Sequence, residues 1–158
     1  MDNNDILRRL RYTFSFNDRQ MIAVFAEADQ HVTREHIGAW LKRDDDSAFE
    51  RLDDVGLATF LNGLIIRHRG KRDGPMAVAE RQLNNNVIFR KLKIALNLKD
   101  ADILALMLRA GFPISKPELS ALFRKPGHKN YRECKDQILR NFLKGLQLTH
   151  HVDAPSDC

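Results

Sequence analysis

The feature that most constrains the fold is an internal repeat. A shift of 82 positions places NNDILRRLRY, which begins at Asn3, over NNVIFRKLKI, which begins at Asn85. Without any insertion, the same shift pairs FLNGL from Phe60 with FLKGL from Phe142. A register that holds over a whole copy indicates that both copies form the same elements in the same order. The chain must therefore adopt a fold that can be built twice.

Hydrophobic residues recur at three- and four-residue spacing in both copies, which is the period of an α-helix rather than of a strand. The clearest stripes consist of Leu57, Phe60, Leu61 and Leu64 in the first copy and Leu139, Phe142, Leu143 and Leu146 in the second. Each copy has room for about four helices of ordinary length. We therefore predict an all-α fold of two tandem, homologous four-helix repeats, packed as one unit about a pseudo-twofold axis.

Glycine and proline separate the two copies. Gly70 and the Gly74-Pro75 pair interrupt a chain that is otherwise helical in pattern. The predicted organisation is repeat one at 1–66, a basic linker at 67–83, repeat two at 84–149 and a polar tail at 150–158.

Short polar residues mark the predicted helix starts. They open the second, third and fourth helices of the two copies at Asp18 and Asp100, Thr33 and Ser115, and Asp54 and Asp136. Ser115 and Glu118 have the spacing of a capping box, and Pro117 is tolerated in a first turn. Gly111 is suited to end the preceding helix.

The composition fits an ordered, soluble protein, with 43% hydrophobic and 30% charged residues. There is no run of about 18 apolar residues that could cross a bilayer. The opening MDNNDILRRL is polar and acidic where a secretory signal is basic and then apolar. We therefore expect a cytoplasmic location without membrane contact. The cysteines, Cys134 and Cys158, are expected to be free thiols, because two are too few for a disulfide framework.

Three stretches together resemble a known family. They are the NND/NNN starts of the copies, LIIRHRGKRDGP, and KIALNLKDADILALMLRAGFPISKPELSALFRKPGHKNYRECKDQILRNFLKGL. They resemble the YehS-like family of bacterial cytoplasmic proteins, which has a duplicated domain of unknown function. The resemblance runs from Asn3 to about Leu148 and is best in the second copy, because the loop KRDDDSAFERLDD of the first copy lacks the Pro-Gly-His-Lys-Asn run. It implies a helical cytoplasmic protein and supplies no cofactor and no binding or catalytic residues.

Charge is divided unequally between the copies. Residues 1–82 contain 13 basic and 14 acidic residues, whereas residues 83–158 contain 13 and 7. The net charge of +5 therefore comes from the second copy. Such a charge excess favours an anionic partner.

Much of this positive charge lies in one segment, which we call the basic loop. Its candidate binding residues are Arg124, Lys125, Gly127, His128, Lys129, Asn130, Tyr131 and Arg132. The cations attract phosphate, and glycine lets backbone amides approach it closely. Tyr131 could stack on an unpaired base, and His128 could add charge below about pH 6.5. This pattern predicts contact with RNA or DNA.

A simpler interpretation of the basic loop stays open. Tyr131 aligns with Phe49 of the first copy, so its ring could be a core residue. Glu133 and Asp136 lie close in sequence and could neutralise the cations through internal salt bridges. A second basic cluster, in the linker, consists of Arg67, Arg69, Lys71 and Arg72. Its position in space does not follow from the sequence.

A DNA-reading helix-turn-helix is less well supported. Ala110 and Gly111 could form its turn, but Ser115 follows four residues after Gly111, and Pro117 interrupts the first turn of the next helix. Two helices that pack at a corner are far commoner than helices that read DNA, and they explain this pattern.

Catalysis is not predicted. Cys134 and His128 could form a nucleophile and its base, but six residues of separation fix no geometry, and alignment with Leu52 suggests that the thiol is buried. Metal binding by His150 and His151, with Asp153 and Cys158, would be incidental in a polar tail. We expect a non-enzymatic protein with no metal and no cofactor.

The alternative function is a protein–protein adaptor. Two packed repeats would leave a groove between them, and the acidic segment RDDDSAFERLDD could meet a basic partner. The sequence leaves the identity of the partner and the oligomeric state open.

Overall fold

A computed structural model of the protein describes residues 1–151. The described chain consists of eight α-helices joined by loops, without strands. Their bounds are α1 Asn3–Phe14, α2 Asp18–Glu27, α3 Arg34–Leu41, α4 Asp54–Arg69, α5 Asn85–Ala95, α6 Asp100–Arg109, α7 Lys116–Leu122 and α8 Asp136–His150. The predicted all-α architecture of two four-helix repeats is confirmed.

Several predicted helix ends are confirmed in atomic detail. Thr33 and Ser115 are the N-caps of α3 and α7, and Ser115 forms the expected capping box with Glu118. Pro117 lies in the first turn of α7. Gly111 follows α6 with a φ of +80°, a left-handed conformation that glycine adopts without strain.

The starts of the second helices were predicted one residue too late. Asn17 and Lys99 are the N-caps of α2 and α6, because their extended backbone is the conformation that a cap requires. Asp18 lies in the first turn, where it accepts a hydrogen bond from Arg11 at 2.7 Å. Asp100 is held in the same way by Lys93 at 3.4 Å. The same correction applies to the fourth helices, whose N-caps are Asp53 and Lys135.

The two repeats pack through pairs of helices that belong to different repeats. The helix α4 packs along α5, and α1 packs along α8. Exchange of the repeats converts one pair into the other, so the pairs are related by the predicted pseudo-twofold axis. The hydrophobic stripes of α4 and α8 are buried as predicted, and they belong to one core that includes residues of both repeats.

Both inter-repeat pairs are parallel. Three hydrogen bonds follow α4 and α5 from start to end, and they join Leu83 to Asp54, Lys91 to Asn62, and Arg69 to Asn97 at 2.8, 2.6 and 2.9 Å. In the other pair, the Met1 amino group lies 3.0 Å from Asp136 at the start of α8. At its end, the ring of Tyr12 stacks on that of His151. The N-termini of α1, α4, α5 and α8 therefore meet at one end of the molecule.

The segment between the repeats differs from the predicted linker. The helix α4 continues to Arg69, so the first residues of 67–83 are helical. We call residues 70–83 the connecting segment. It has no regular secondary structure and returns along α4 until the amide of Leu83 reaches Asp54. No helix within residues 1–151 combines the length and the apolar composition needed to cross a bilayer.

Glycines in the middle of α4 and α8 permit a close approach of helices. A methyl group at Gly63 would overlap the carbonyl oxygen of Val24 in α2, and one at Gly145 would overlap that of Leu106 in α6. Glycine in a helix interior is unfavourable by about 1 kcal/mol relative to alanine. The close contact between these helices accounts for glycine at both positions.

We predict that Gly63→Ala and Gly145→Ala each lower the free energy of unfolding by about 1–3 kcal/mol, because the added methyl group forces the helices apart. Gly38 in α3 is the matched control, since open space surrounds its Cβ position. Gly38→Ala should raise stability by about 0.5–1 kcal/mol through helix propensity. Denaturant unfolding measures all three changes. If Gly63→Ala and Gly38→Ala have the same effect, the close contact is not a constraint.

Candidate functional site

The basic loop is fixed to the core by one buried side chain, Asn86 of α5. The Asn86 amide donates to the carbonyl oxygens of Leu122 and Arg132 at 3.0 and 2.9 Å. Its own carbonyl oxygen accepts from the backbone amide of Cys134 at 2.9 Å. Asn86 is 5% exposed, so these bonds are shielded from water. Both ends of the loop are therefore held while its middle projects from the protein.

The residue before Asn86 fixes the helix that follows the loop. Asn85 donates to the carbonyl oxygen of Cys134 and to Asp136, the first residue of α8, at 3.0 and 2.7 Å. The bond from Asn85 and the nearby amino group of Met1 lower the pKa of the Asp136 carboxyl. Asp136 is thereby committed to holding α8 and does not neutralise the loop.

The cations of the basic loop point into solvent. Arg124, Lys125, Lys129 and Arg132 are exposed, and none forms a salt bridge with a partner in residues 1–151. Glu133 pairs instead with Lys135 at 3.2 Å. The simpler interpretation, in which internal salt bridges neutralise the loop, is therefore not what the described chain shows.

Two turns shape the middle of the loop. The amide of His128 donates to the carbonyl of Lys125, and that of Tyr131 donates to the carbonyl of His128. Gly127 lies within the first of these turns with a φ of +92°, a conformation that favours glycine. The amide of Asn130 donates to Nδ1 of the exposed His128 ring at 3.0 Å.

Tyr131 is half-buried, as is Phe49 at the equivalent position of the first copy. Its ring is thus only partly available for stacking on a base. Half-burial is consistent in part with a core residue, and the stacking role of Tyr131 stays a prediction.

The equivalent loop of repeat one has the opposite charge on the same backbone frame. Asn4 donates to the carbonyl oxygens of Trp40 and Glu50, and the Leu52 amide donates to Asn4, as in the second copy. Residues 42–53 nevertheless contain three basic and five acidic residues, against five and one in residues 124–135.

The two repeats also differ in charge at the N-caps of the helices that follow these loops. Asp53 caps α4 by accepting from the amide of Gly56 at 2.7 Å. Lys135 occupies that position before α8 and makes no side-chain cap bond. The positive end of the α8 dipole therefore adds to the charge of the basic loop.

The second predicted cluster lies elsewhere and is divided. Arg67 covers the ring of Phe16, with 5.3 Å from the guanidinium carbon to the ring centroid. Arg69 donates a hydrogen bond to the side chain of Asn97, which follows α5. Together with Lys71 and Arg72, it also lines a cavity beside the connecting segment. The basic loop precedes the N-terminus of α8, whereas this cluster lies in the last turn of α4 and directly after it. The length of α4, about 24 Å for its 16 residues, separates the two ends.

A catalytic role for Cys134 is not supported. Its side chain is 2% exposed, and burial raises the pKa of the thiol to about 12. His128 lies on the solvent side of the loop.

The helix-turn-helix hypothesis is not supported either, because α7 is only seven residues long and buries Leu119, Ala121 and Leu122.

The histidines near the end of the described chain contact aromatic rings. His150 approaches Phe14, and His151 stacks on Tyr12 at 3.8 Å between ring centroids. Asp153 and Cys158 lie outside the described residues. Within residues 1–151, no three His, Cys, Asp or Glu side chains come together in a way that could hold a metal ion.

Comparison with known proteins finds two matching segments in the chain. A family model described as "Protein of unknown function (DUF1456)" matches residues 3–70 and 85–151, one segment for each repeat. The chain belongs to this family. It is 44% identical to "Uncharacterized protein YehS" of Escherichia coli (strain K12) over 153 residues, which is 96% of this chain and 98% of that protein. No solved structure matches. The resemblance to the YehS-like family is confirmed.

We predict that Asn86→Ala lowers the free energy of unfolding by about 2–4 kcal/mol, because two carbonyl groups and one amide lose their buried partner. Asn4→Ala should have a similar effect through the equivalent bonds. The control is Asn84→Ala, which removes the exposed N-cap of α5 and should cost about 1 kcal/mol. Equal losses for Asn86 and Asn84, measured by urea unfolding, would contradict the anchoring role.

We also predict that Cys134 resists thiol reagents in the folded protein. In a Cys158→Ser background, Ellman's reagent at pH 8 should react with Cys134 only after unfolding. The thiol titrates near 9 when exposed and at about 12 in the fold. The fold therefore favours the protonated thiol. The stability that this gives the native state is fully present below about pH 9, and it is lost as the pH rises from there towards about 12. Rapid labelling of the native protein would show that the thiol is accessible.

Proposed function

We propose that the protein binds RNA or DNA through contacts between its basic loop and the phosphates of the nucleic acid. The observation that carries this proposal is the set of four exposed cations without salt-bridge partners in residues 1–151, on a loop that Asn86 holds at both ends. A fixed loop loses less conformational entropy on binding than a flexible one. The cations are thus arranged before the partner arrives.

The charge pattern favours phosphate over other anionic partners. The four cations lie within nine residues around Gly127, and the uncapped start of α8 follows directly. Closely spaced positive charge beside a helix N-terminus suits a ligand with several neighbouring phosphates.

The binding would be largely independent of base sequence. Phosphate contacts position a nucleic acid without reading it. Half-burial limits what Tyr131 can add through stacking. The acidic loop of repeat one also lies near the end of the molecule where α4 and α8 begin, so the nucleic acid would approach from the side of repeat two.

The test is fluorescence anisotropy with labelled single- and double-stranded RNA and DNA across a salt series. Four phosphate contacts predict a slope of about −3 to −4 for the logarithm of the association constant against the logarithm of salt on duplex DNA. Replacement of Arg124, Lys125, Lys129 and Arg132 by Gln should abolish binding at about 150 mM salt and flatten the slope.

The matched control is the triple replacement of Lys42, Arg43 and Arg51 by Gln in the loop of repeat one. It removes positive charge from the equivalent loop and should leave binding nearly unchanged. Circular dichroism checks that both variants stay folded. If the wild-type protein does not bind at low salt, the proposal is wrong. The adaptor function, with a partner complex that survives nuclease, is then the one to pursue.

A further inference from the structure

A cavity of about 600 Å³ lies between α4, α5 and the connecting segment. This volume is within the range of small-molecule sites, about 300–1,000 Å³. The cavity is formed jointly by both repeats, because α4 belongs to the first and α5 to the second. It lies along the helix pair and is distinct from the basic loop, none of whose residues line it.

The walls of the cavity are aliphatic. Ile65 and Ile66 of α4 face Val87 and Ile94 of α5, and Met76 of the connecting segment adds a further wall. No phenylalanine, tyrosine or tryptophan lines it. A ligand that used this surface would present an alkyl body, because a base or another flat ring would find no stacking partner here.

The polar side of the cavity is cationic. It is formed by Arg69, Lys71, Arg72, Arg90 and Lys91, with Glu80 as the one acidic residue in the lining. Lys91 lies deepest, with a side chain that is 11% exposed. Its ammonium group lies 2.6 Å from Asn62 Oδ1 and 3.1 Å from Glu80 Oε1.

Glu80 does not neutralise the cations around the cavity. Its buried Oε1 forms a salt bridge with Lys91 but accepts no hydrogen bond of good geometry among the described residues. The lining of the cavity therefore contains five cations and one carboxylate. The cavity carries an excess of positive charge that an anionic ligand would reduce.

The pseudo-twofold axis provides an internal comparison. The same positions in the α1–α8 pair are occupied by Asp5 in place of Val87 and by Gln147 in place of Ile65. The helix pair therefore packs without aliphatic residues at these positions. At the other two positions, Leu148 replaces Ile66 and Tyr12 replaces Ile94, so only the α4–α5 side has a wall that is aliphatic throughout.

Burial of the connecting segment does not explain this wall. Val78 remains 88% exposed, and Met76 remains 36% exposed. The segment arches over the helices and leaves the space beneath it unfilled.

We propose that this cavity binds a small amphipathic anion with an aliphatic body and one carboxylate or phosphate head group. The body would pack against Ile65, Ile66 and Val87. The head group would lie among Lys71, Arg72 and Lys91, where it would provide a counter-charge for Lys71 and Arg72, which Glu80 does not pair with. A fatty carboxylate and an alkyl phosphate share this chemistry, and the experiment distinguishes them.

Isothermal titration calorimetry on the full chain tests the proposal with octanoate and octyl phosphate as probes. Octanol and octyltrimethylammonium are the neutral and cationic comparisons. At least one anion should bind saturably with a stoichiometry of one, and at least tenfold more tightly than octanol. The tighter of the two anions identifies the head group. Absence of saturable binding by both anions, or equal binding of octanol, would overturn the proposal.

Two variants locate the site. Ile66→Trp fills the cavity from its half-buried wall and should weaken anion binding at least tenfold, whereas the equivalent Leu148→Trp in α8 should not. Lys71→Gln with Arg72→Gln should weaken the anion but leave octanol unchanged, since both residues are exposed and their loss does not disturb the core. If Ile66→Trp and Leu148→Trp bind alike, the ligand is not in this cavity. Nucleic-acid binding should be the same in all these variants, which separates this proposal from that of the basic loop.

Discussion

One buried asparagine in each repeat joins the first helix of that repeat to the loop that precedes its fourth helix. Asn4 and Asn86 each satisfy two carbonyl groups and one amide that would otherwise be buried without partners. The carbonyl groups of Trp40 and Leu122 lie at the C-terminal ends of α3 and α7, where a helix leaves its last carbonyls without partners. The other groups belong to irregular backbone, which has no helical hydrogen bonds of its own. The loop can follow its path across the core only because the asparagine is there.

This arrangement explains how the two loops diverged in charge without a change of frame. The bonds from asparagine reach backbone atoms, so the loop side chains that point outward are free to vary. Repeat one has aspartates where repeat two has Gly127 and His128, yet the bonded positions correspond one for one. A duplicated scaffold held by its backbone can acquire different surfaces on its two halves, and this is where the copies of the protein differ most clearly.

Much of the fold follows from local patterns in the sequence. The repeat predicts the number of helices per copy, and helical periodicity predicts the buried faces of α4 and α8, because both depend on neighbours along the chain. Pairing of α1 with α8 does not follow, since nothing local specifies which apolar face a helix will meet. The doubled asparagines at the start of each copy are visible in the sequence. Only the structure shows that Asn86 forms hydrogen bonds with residues almost 50 positions away along the chain. The cavity was missed for the same reason, because its walls come from three separate segments.

The pairing of α1 with α8 has a consequence for synthesis of the chain. The helix α1 ends at Phe14, and its partner begins at Asp136. At about 5–20 residues per second, roughly 6 to 25 s of translation separate the two. During that time the apolar face of α1 that α8 will cover has no permanent partner. Repeat one emerges first but cannot reach its final packing until α8 of the second repeat has been made.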